Sequence, residues 1–585
     1  MPTETLVNPY QNTKKSGEFQ KTSLERENFV KRANALKAEG QLWYPAWRDL
    51  STYINPTKGF FLNRRPNVGY EIDHKTVLNE HPQWCADVSA SGMQTGLTSP
   101  SQPWFKLGLP DPDLMRYDKV KLWLDEVQQR MYDIFSKSNI YTCLHSIYGE
   151  LITFGTACMF VEEDYNYVIR GRVYTAGEYY LGISHEGKVN AFYRRFWMTV
   201  EQMVQKFGLE NLSPSTQTAY KNNQPDTWVM VNFLVEFNDD RVPFFKDFRN
   251  MEYRAIYWED GADATSYLRL DGYEEFPILA PRWETVTTAD VNGRGPGWKA
   301  LGSAKMLQKM ERKKLIALDK VVEPPIQVDT SVQGEVNTMP GGVTRFSALL
   351  PNAGVKPAYQ VNPDLNAIEF SIEKTEKRIS KFMFTDLFLM IFESERQGKD
   401  ITATEIIERK SERLGQIGPV LERLEGEDLL GGLINRTYNI MERNGLIPRA
   451  PEEIRGMPLK VQYISVLAQA QKMAGISAID HWTVGVVGDA GVDPDAIDII
   501  NFDEKNAIRA DMLGVPTKMV NSPDVMALKR KQRAEELAKQ KNIQATALMA
   551  EAAAKGGKAV KDTATAPMHQ DSALDGILGA ITGGR

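Results

Sequence analysis

Two long helical stretches separated by a Gly- and Pro-punctuated insert occupy the middle of this chain, and no other feature limits its fold as much. The turn Asn292-Gly293-Arg294-Gly295-Pro296-Gly297 leads straight into helical patterning from Trp298 to Lys320. Leu301, Ala304, Leu307 and Met310 recur every three residues, which gathers them on one side of a helix. Pro324-Pro325 ends that helix, because proline lacks the amide proton and crowds the preceding turn. The segment up to Pro363 is apolar and β-leaning, and a second helix is expected from Asp364 to Phe392. At about 1.5 Å per residue each helix is roughly 35–40 Å long. The centre of the chain is therefore a long helical hairpin around a small β insert.

The flanks add a mixed body. Ser23 is a plausible N-cap, with Glu25 and Glu27 in the first turn where the helix dipole favours negative charge. Trp43, Trp47, Leu50 and Ile54 continue a helical stripe until Pro56, and Trp84 to Met93, Lys119 to Phe135 and Ile140 to Thr153 also read as helices. Gly155 breaks the last of these. Residues 157–290 look mostly β, with Trp228 to Phe237, Met251 to Trp258 and Tyr267 to Leu270 rich in β-branched and aromatic residues. Past Phe392 lies a polar break, Glu393 to Asp400. Thr402-Ala403-Thr404-Glu405 then matches a capping box, in which the Thr hydroxyl and the Glu carboxylate each satisfy an orphan amide. A long helical region follows to Asn444, kinked at Gly418-Pro419, and Asp524 to Ala554 has a strong helix composition. The expected class is α+β, mainly helical. With 42% hydrophobic and 25% charged residues a sizeable core is available, which excludes a largely disordered chain, a collagen or a coiled-coil rod.

A search for catalytic motifs fails at each step. Gly297-Trp298-Lys299-Ala300-Leu301-Gly302-Ser303 has phosphate-loop glycine spacing but places Ser where the lysine must stand. The six histidines are scattered, and neither His-Glu-x-x-His nor Gly-x-Ser-x-Gly occurs. Glu162-Glu163-Asp164 and Asp239-Asp240 are the acidic clusters able to hold a divalent cation, set against an ordinary role in solvated turns. Cys85, Cys143 and Cys158 cannot build a disulfide framework or a metal knuckle, which points to a reducing compartment, and Cys158 reads as a packed thiol. No run approaches the length of a membrane span, and Met1-Pro2-Thr3-Glu4 lacks the pattern of a signal peptide.

Charge is more informative. The net charge of −6 argues against a protein that grips nucleic acid by global attraction. Yet Lys299, Lys305, Lys309, Arg312, Lys313, Lys314 and Lys320 stand against only Glu311 and Asp319, a local +5 in the first hairpin helix. Lys305, Lys309 and Lys313 are four apart and share a face that suits a phosphate backbone or plain solvent. A second basic run, Lys529-Arg530-Lys531-Gln532-Arg533, carries the same two readings.

This order of segments resembles the portal (head-to-tail connector) proteins of short-tailed, podovirus-type bacteriophages. The matching pieces include Ser23-Leu24-Glu25-Arg26 with Trp43 and Trp47, and Tyr53-Ile54-Asn55-Pro56-Thr57. Leu97-Thr98-Ser99-Pro100 before Pro103-Trp104-Phe105, Thr153-Phe154-Gly155-Thr156-Ala157 and Arg194-Arg195-Phe196 continue it. Pro281-Arg282-Trp283 then leads to Gly293-Arg294-Gly295-Pro296, and the most characteristic run is Thr402-Ala403-Thr404-Glu405 with Arg409 and Gly418-Pro419-Val420. Asn444-Gly445-Leu446-Ile447-Pro448 and Leu467-Ala468-Gln469-Ala470-Gln471 extend the match, which spans about residues 23–535.

The resemblance implies a portal-type fold: a flexible N-terminus (1–22), a wing (23–297 and 402–499), stem helices (298–320 and 364–392), a clip (321–363), a tunnel loop (393–401), crown helices (500–555) and a weakly ordered tail (556–585). It implies a ring of this chain, typically a dodecamer, at one capsid vertex of the virion, assembled in the host bacterial cytoplasm. Double-stranded DNA is packaged and ejected through it. Partners would be the large terminase, then tail adaptor and nozzle proteins, with the major capsid and scaffolding proteins around it and no membrane. It implies no catalytic residue, metal or cofactor. Lys305, Lys309, Arg312, Lys313, Arg396 and Lys399 become candidates to face DNA, with Arg396 and Lys399 expected in the lumen. The hairpin lysines have a second reading between subunits, against Glu369, Glu373 and Glu376. Gln333, Glu335, Asn337, Arg345 and Asn352 become clip contacts to terminase or adaptor. The rival readings are a metal-dependent DNA-processing enzyme built on the acidic clusters, and another tail or adaptor protein.

Overall fold

The structure is a computed structural model that describes residues 23–61, 77–111, 114, 117–241, 250–262, 267–328, 332, 335–339, 342–345, 355–358, 363–393, 417–426, 428–465, 479–489, 491, 493–512 and 523–564. The chain divides into two compact units, Met1–Asp111 with Leu122–Gly514, and Pro112–Lys121 with Val515–Arg585.

The first part of the chain is helical: α1 (Ser23–Gln41), α2 (Tyr44–Tyr53), α3 (His81–Leu97), then a short strand β1 (Phe105–Gly108), α4 (Asp118–Lys137) and α5 (Ile140–Phe154). Strands follow: β2 (Cys158–Asp164), β3 (Val168–Tyr174), β4 (Tyr179–Ile183), β5 (Val189–Thr199), then α6 (Val200–Phe207) and α7 (Pro214–Lys221), and β6 (Trp228–Phe237), β7 (Tyr253–Glu259), β8 (Arg269–Tyr273) and β9 (Ile278–Leu279). Strands β4 to β8 form an antiparallel meander, and β3-β2-β9 a smaller antiparallel sheet. The apolar run of β6 has a direct cause. Its neighbours β5 and β7 pair along both edges, and both of its faces are covered. On one side Phe29, Ala33 and Leu36 of α1 pack with Tyr193, Leu234, Ile256 and Trp258. On the other, Phe233, Val235 and Tyr257 pack with Phe160 of β2 and Met203 and Phe207 of α6. A strand buried on both faces loses the polar alternation of a half-exposed one.

The hairpin helices come next. Helix α8 (Pro296–Val322) precedes a two-stranded ribbon of β10 (Ile326–Val328) and β11 (Val355–Pro357), and α9 (Leu365–Phe382) and α10 (Thr385–Glu393) follow. The glycines before α8 are there for contact. Gly155 ends α5 with φ +86°, and a Cβ on it would overlap the Gly295 backbone nitrogen. The Trp298 indole donates to the Phe154 carbonyl at 2.7 Å, and the Gly293 amide donates to Thr156 Oγ1 at 2.7 Å. Gly297 and Gly302 lie inside α8, so the phosphate-loop spacing is part of a helix and cradles nothing.

The expected second helix, 364–392, is not continuous. It breaks at Met383-Phe384, where Phe384 adopts φ +61°. Neither Gly nor Pro causes this. Met383, Leu387 and Phe388 are buried against α3, and Ser89 of α3 donates to the Met383 carbonyl at 2.7 Å. A Cβ on Gly92 would overlap the Phe388 side chain, so the notch in α3 admits that ring only because residue 92 is glycine.

Beyond it, α11 is described over residues 417–425, with Gly418-Pro419 within its first described turn. The capping box at 402–405 and Arg409 lie outside the described residues. Helix α12 (Leu430–Arg443) is followed by β12 (Lys460–Tyr463), which pairs antiparallel with β1, Phe105 opposite Tyr463. Helix α13 (479–489) and α14 (Phe502–Met512) complete the first unit. In the second unit α15 (Pro523–Ala564) is an unbroken 42-residue helix. No helix among the described residues is long and apolar enough to cross a membrane.

Candidate nucleic-acid and subunit interface on the helical hairpin

The hairpin is built by one apolar seam. Ala300, Ser303, Ala304, Leu307 and Gln308 of α8 are buried, as are Ile372, Thr375, Ile379 and Ser380 of α9. Asp364 caps α9 by accepting from the Ala367 amide at 3.1 Å. Polar groups then lock the hairpin to the segment before α3. Gln308 Oε1 accepts from the Leu78 and Asn79 amides at 2.7 and 3.0 Å, while its Nε2 donates to the Asn79 carbonyl at 2.7 Å. The Asn79 side-chain amide donates to Glu311 at 2.9 Å and to Glu376 at 2.8 Å. One turn on, His81 Nε2 sits 3.0 Å from Ser380 Oγ.

The basic residues of α8 do not act as one row. Lys305 is drawn to α2, with its Nζ 2.5 Å from Asp49 and over the Tyr53 ring at 5.4 Å. Lys299 pairs with Glu284 at 3.0 Å. Lys314 pairs with Glu369 of α9 at 3.0 Å, and this hydrogen bond raises its pKa. Lys309, Arg312 and Lys313 are exposed. A four-residue step advances about 40° around a helix, which is how Lys305 and Lys313 come to different surroundings. The acids named for pairing between subunits have partners in their own chain: Glu369 with Lys314, Glu373 with Lys377 at 2.6 Å, and Glu376 with Asn79.

The far end of the hairpin carries a feature that the sequence reading missed. Leu315, Ile316, Leu318, Val321 and Val322 of α8 are 42–71% exposed, and Phe370 of α9 is 68% exposed. The signal was present: at 100° per residue these α8 positions spread over about 220° of the circumference, wider than one seam needs. Of the clip candidates, Glu335, Asn337 and Arg345 are exposed, and Asn337 Oδ1 accepts from the Met339 amide at 3.0 Å. Gln333 and Asn352 lie outside the described residues, as do Arg396 and Lys399.

The acidic clusters are tied to arginines. Glu162 pairs with Arg172 at 2.8 Å, Glu163 with Arg443 at 2.8 Å, Asp164 with Arg170 at 3.8 Å, and Asp240 with Arg254 at 3.3 Å. Among the described residues no cluster of His, Cys, Asp and Glu is arranged to hold a metal. The three cysteines are buried and free, and burial pushes the Cys143 thiol up to about 11 and raises the Cys85 and Cys158 thiols too. Raised thiols are poor nucleophiles.

A long helical hairpin with a β ribbon at its turn, carried on a mixed α/β body, is accompanied by a match along most of the sequence. The profile of the family described as "Bacteriophage head to tail connecting protein" matches residues 26–520, and the chain belongs to that family. It is 40% identical to the portal protein of Salmonella phage epsilon15 over 560 residues, 95% of this chain and 99% of the relative. It is 37% identical to the probable portal protein of Bordetella phage BPP-1 over 513 residues, 88% of this chain and 92% of that one.

Proposed function

We propose that this protein is a phage portal: a closed ring at one capsid vertex through which double-stranded DNA is packaged and later ejected. The observation that carries the reading is the exposed apolar end of α8 in a head-to-tail connector chain. Contiguous apolar surface of this kind marks an interaction site. Apolar side chains on several sides of one hairpin ask for a copy on each flank, and such head-to-tail contacts close into a ring when the rotation permits. In this reading α8 with α9 and α10 is the stem, residues 321–363 the clip, 393–401 the tunnel loop and 500–555 the crown, and the ring has twelve subunits. Lys309, Arg312 and Lys313 face the DNA path together with Arg396 and Lys399, while Lys305 is a structural cation that ties α8 to Asp49 of α2. Sparse positive charge suits a channel, since each phosphate neutralised adds affinity and slows sliding. Glu335, Asn337 and Arg345, with Gln333 and Asn352, meet the large terminase during packaging and the tail adaptor and nozzle afterwards. Capsid and scaffolding proteins surround the ring, which assembles in the host cytoplasm and ends in the virion. Its role is structural, with catalysis left to the terminase. Negative-stain imaging of the purified chain tests this: rings with a central hole and a flanged side view are expected, and a monomer would sink the proposal.

A further inference from the structure

The basic run at 529–533 is not part of the hairpin and has no role in the reading above. It lies in the first turns of α15. From Lys529 to Lys541 that helix carries six basic residues against Glu535 and Glu536, a local +4 in a chain of net −6. These charged side chains are exposed. They are also sorted around the axis. At about 100° per residue, Lys529, Arg530, Arg533 and Lys541 fall within about 120° of the circumference with no acid among them. Glu535 falls on the other side with Lys539, Glu536 lies about 20° outside the edge of the sector that Lys529 marks, and Lys531 lies outside the basic sector. The basic sector runs about 18 Å along the axis, a length over which duplex DNA presents roughly ten phosphates. Exposed Leu528 and Ile543 lie about 60° apart while Leu537 points the opposite way from Leu528, so α15 lacks the single apolar face that an interfacial membrane helix needs.

Resting on the portal reading, we infer that this basic sector of α15 is a second contact for double-stranded DNA, holding phosphates without reading bases. Helical position and sign of charge carry the inference. The test uses the full chain and a short DNA duplex, with affinity followed by fluorescence anisotropy across a salt series. Arg533→Gln with Lys541→Gln removes two positive charges from the sector. Lys531→Gln with Lys539→Gln removes two from outside it, so both variants carry the same net charge. The slope of log affinity against log salt should become shallower by about 1.8 in the first pair and stay unchanged in the second. Equal shifts in both pairs, or none in either, overturn the assignment. So does tighter binding of the unaltered protein to anionic lipid vesicles than to the duplex. Imaging the same samples separates the two readings. Rings with equal slopes sink the DNA-binding sector alone, and an absence of rings sinks the portal reading whatever the slopes.

Discussion

Glu150 keeps a carboxyl where the fold has little water to offer it. It is 2% exposed on α5, accepting from Lys58 Nζ at 3.2 Å, Thr175 Oγ1 at 3.0 Å and the Ala176 amide at 3.3 Å. Burial is the largest influence and raises its pKa, and the Lys58 charge and the hydrogen bonds only partly offset it. The folded state therefore binds this proton more tightly than the unfolded chain does. Stability from this group falls as pH rises above the ordinary carboxylate range and grows as pH falls back towards it. Against Glu150→Gln, which cannot titrate, the unaltered protein should gain melting temperature between about pH 7 and pH 5. Scanning fluorimetry at the two pH values reads the gap, and a gap that moves the other way contradicts the assignment. Sequence alone showed a glutamate inside an apolar helix but not the lysine, 92 positions upstream, that would face it.

The break between α9 and α10 shows what elements owe to their neighbours. A non-glycine residue with positive φ costs roughly 1–2 kcal/mol, and here α3 holds it in place through Ser89, which bonds the Met383 carbonyl and meets the Thr385 hydroxyl, and through the Gly92 notch. Phe384→Gly should relieve that cost and slow hydrogen exchange across 385–393. Ser89→Ala should speed it, by a loss of about 1 kcal/mol. If Phe384→Gly speeds exchange instead, the strain is not where the backbone places it. Local pattern made α8 legible to within two residues at each end and β6 along its whole length. It could not show the break, since residues 365–393 contain no Gly or Pro and the bend is imposed by a helix some 300 positions earlier. The site divides the same way. Exposed Lys309 and Lys313 followed from spacing, whereas the capture of Lys305 by Asp49 depends on where α2 packs.

For the whole molecule, the proposed ring places the meeting of its copies at the exposed apolar end of α8. Burying a Leu or Val side chain contributes about 1.5–3 kcal/mol, so Leu315→Glu with Val322→Glu should weaken association at least about tenfold. Sedimentation velocity reads the loss of assembled species, and circular dichroism checks that the helices remain. Unchanged assembly would mean that subunits meet elsewhere.

The pairing of β1 with β12 has a consequence for how the chain is made. Phe105 and Tyr463 are about 360 residues apart, and at roughly 5–20 residues per second a ribosome needs about 20–70 s to supply the second after the first. Throughout that interval β1 lacks the strand it pairs with, its Phe105 lying among the rings of Trp104, Tyr132 and Phe135. A waiting edge of this kind invites pairing with another nascent chain. Synthesis, as well as the finished fold, is therefore a stage at which exposed strand edges of this chain matter.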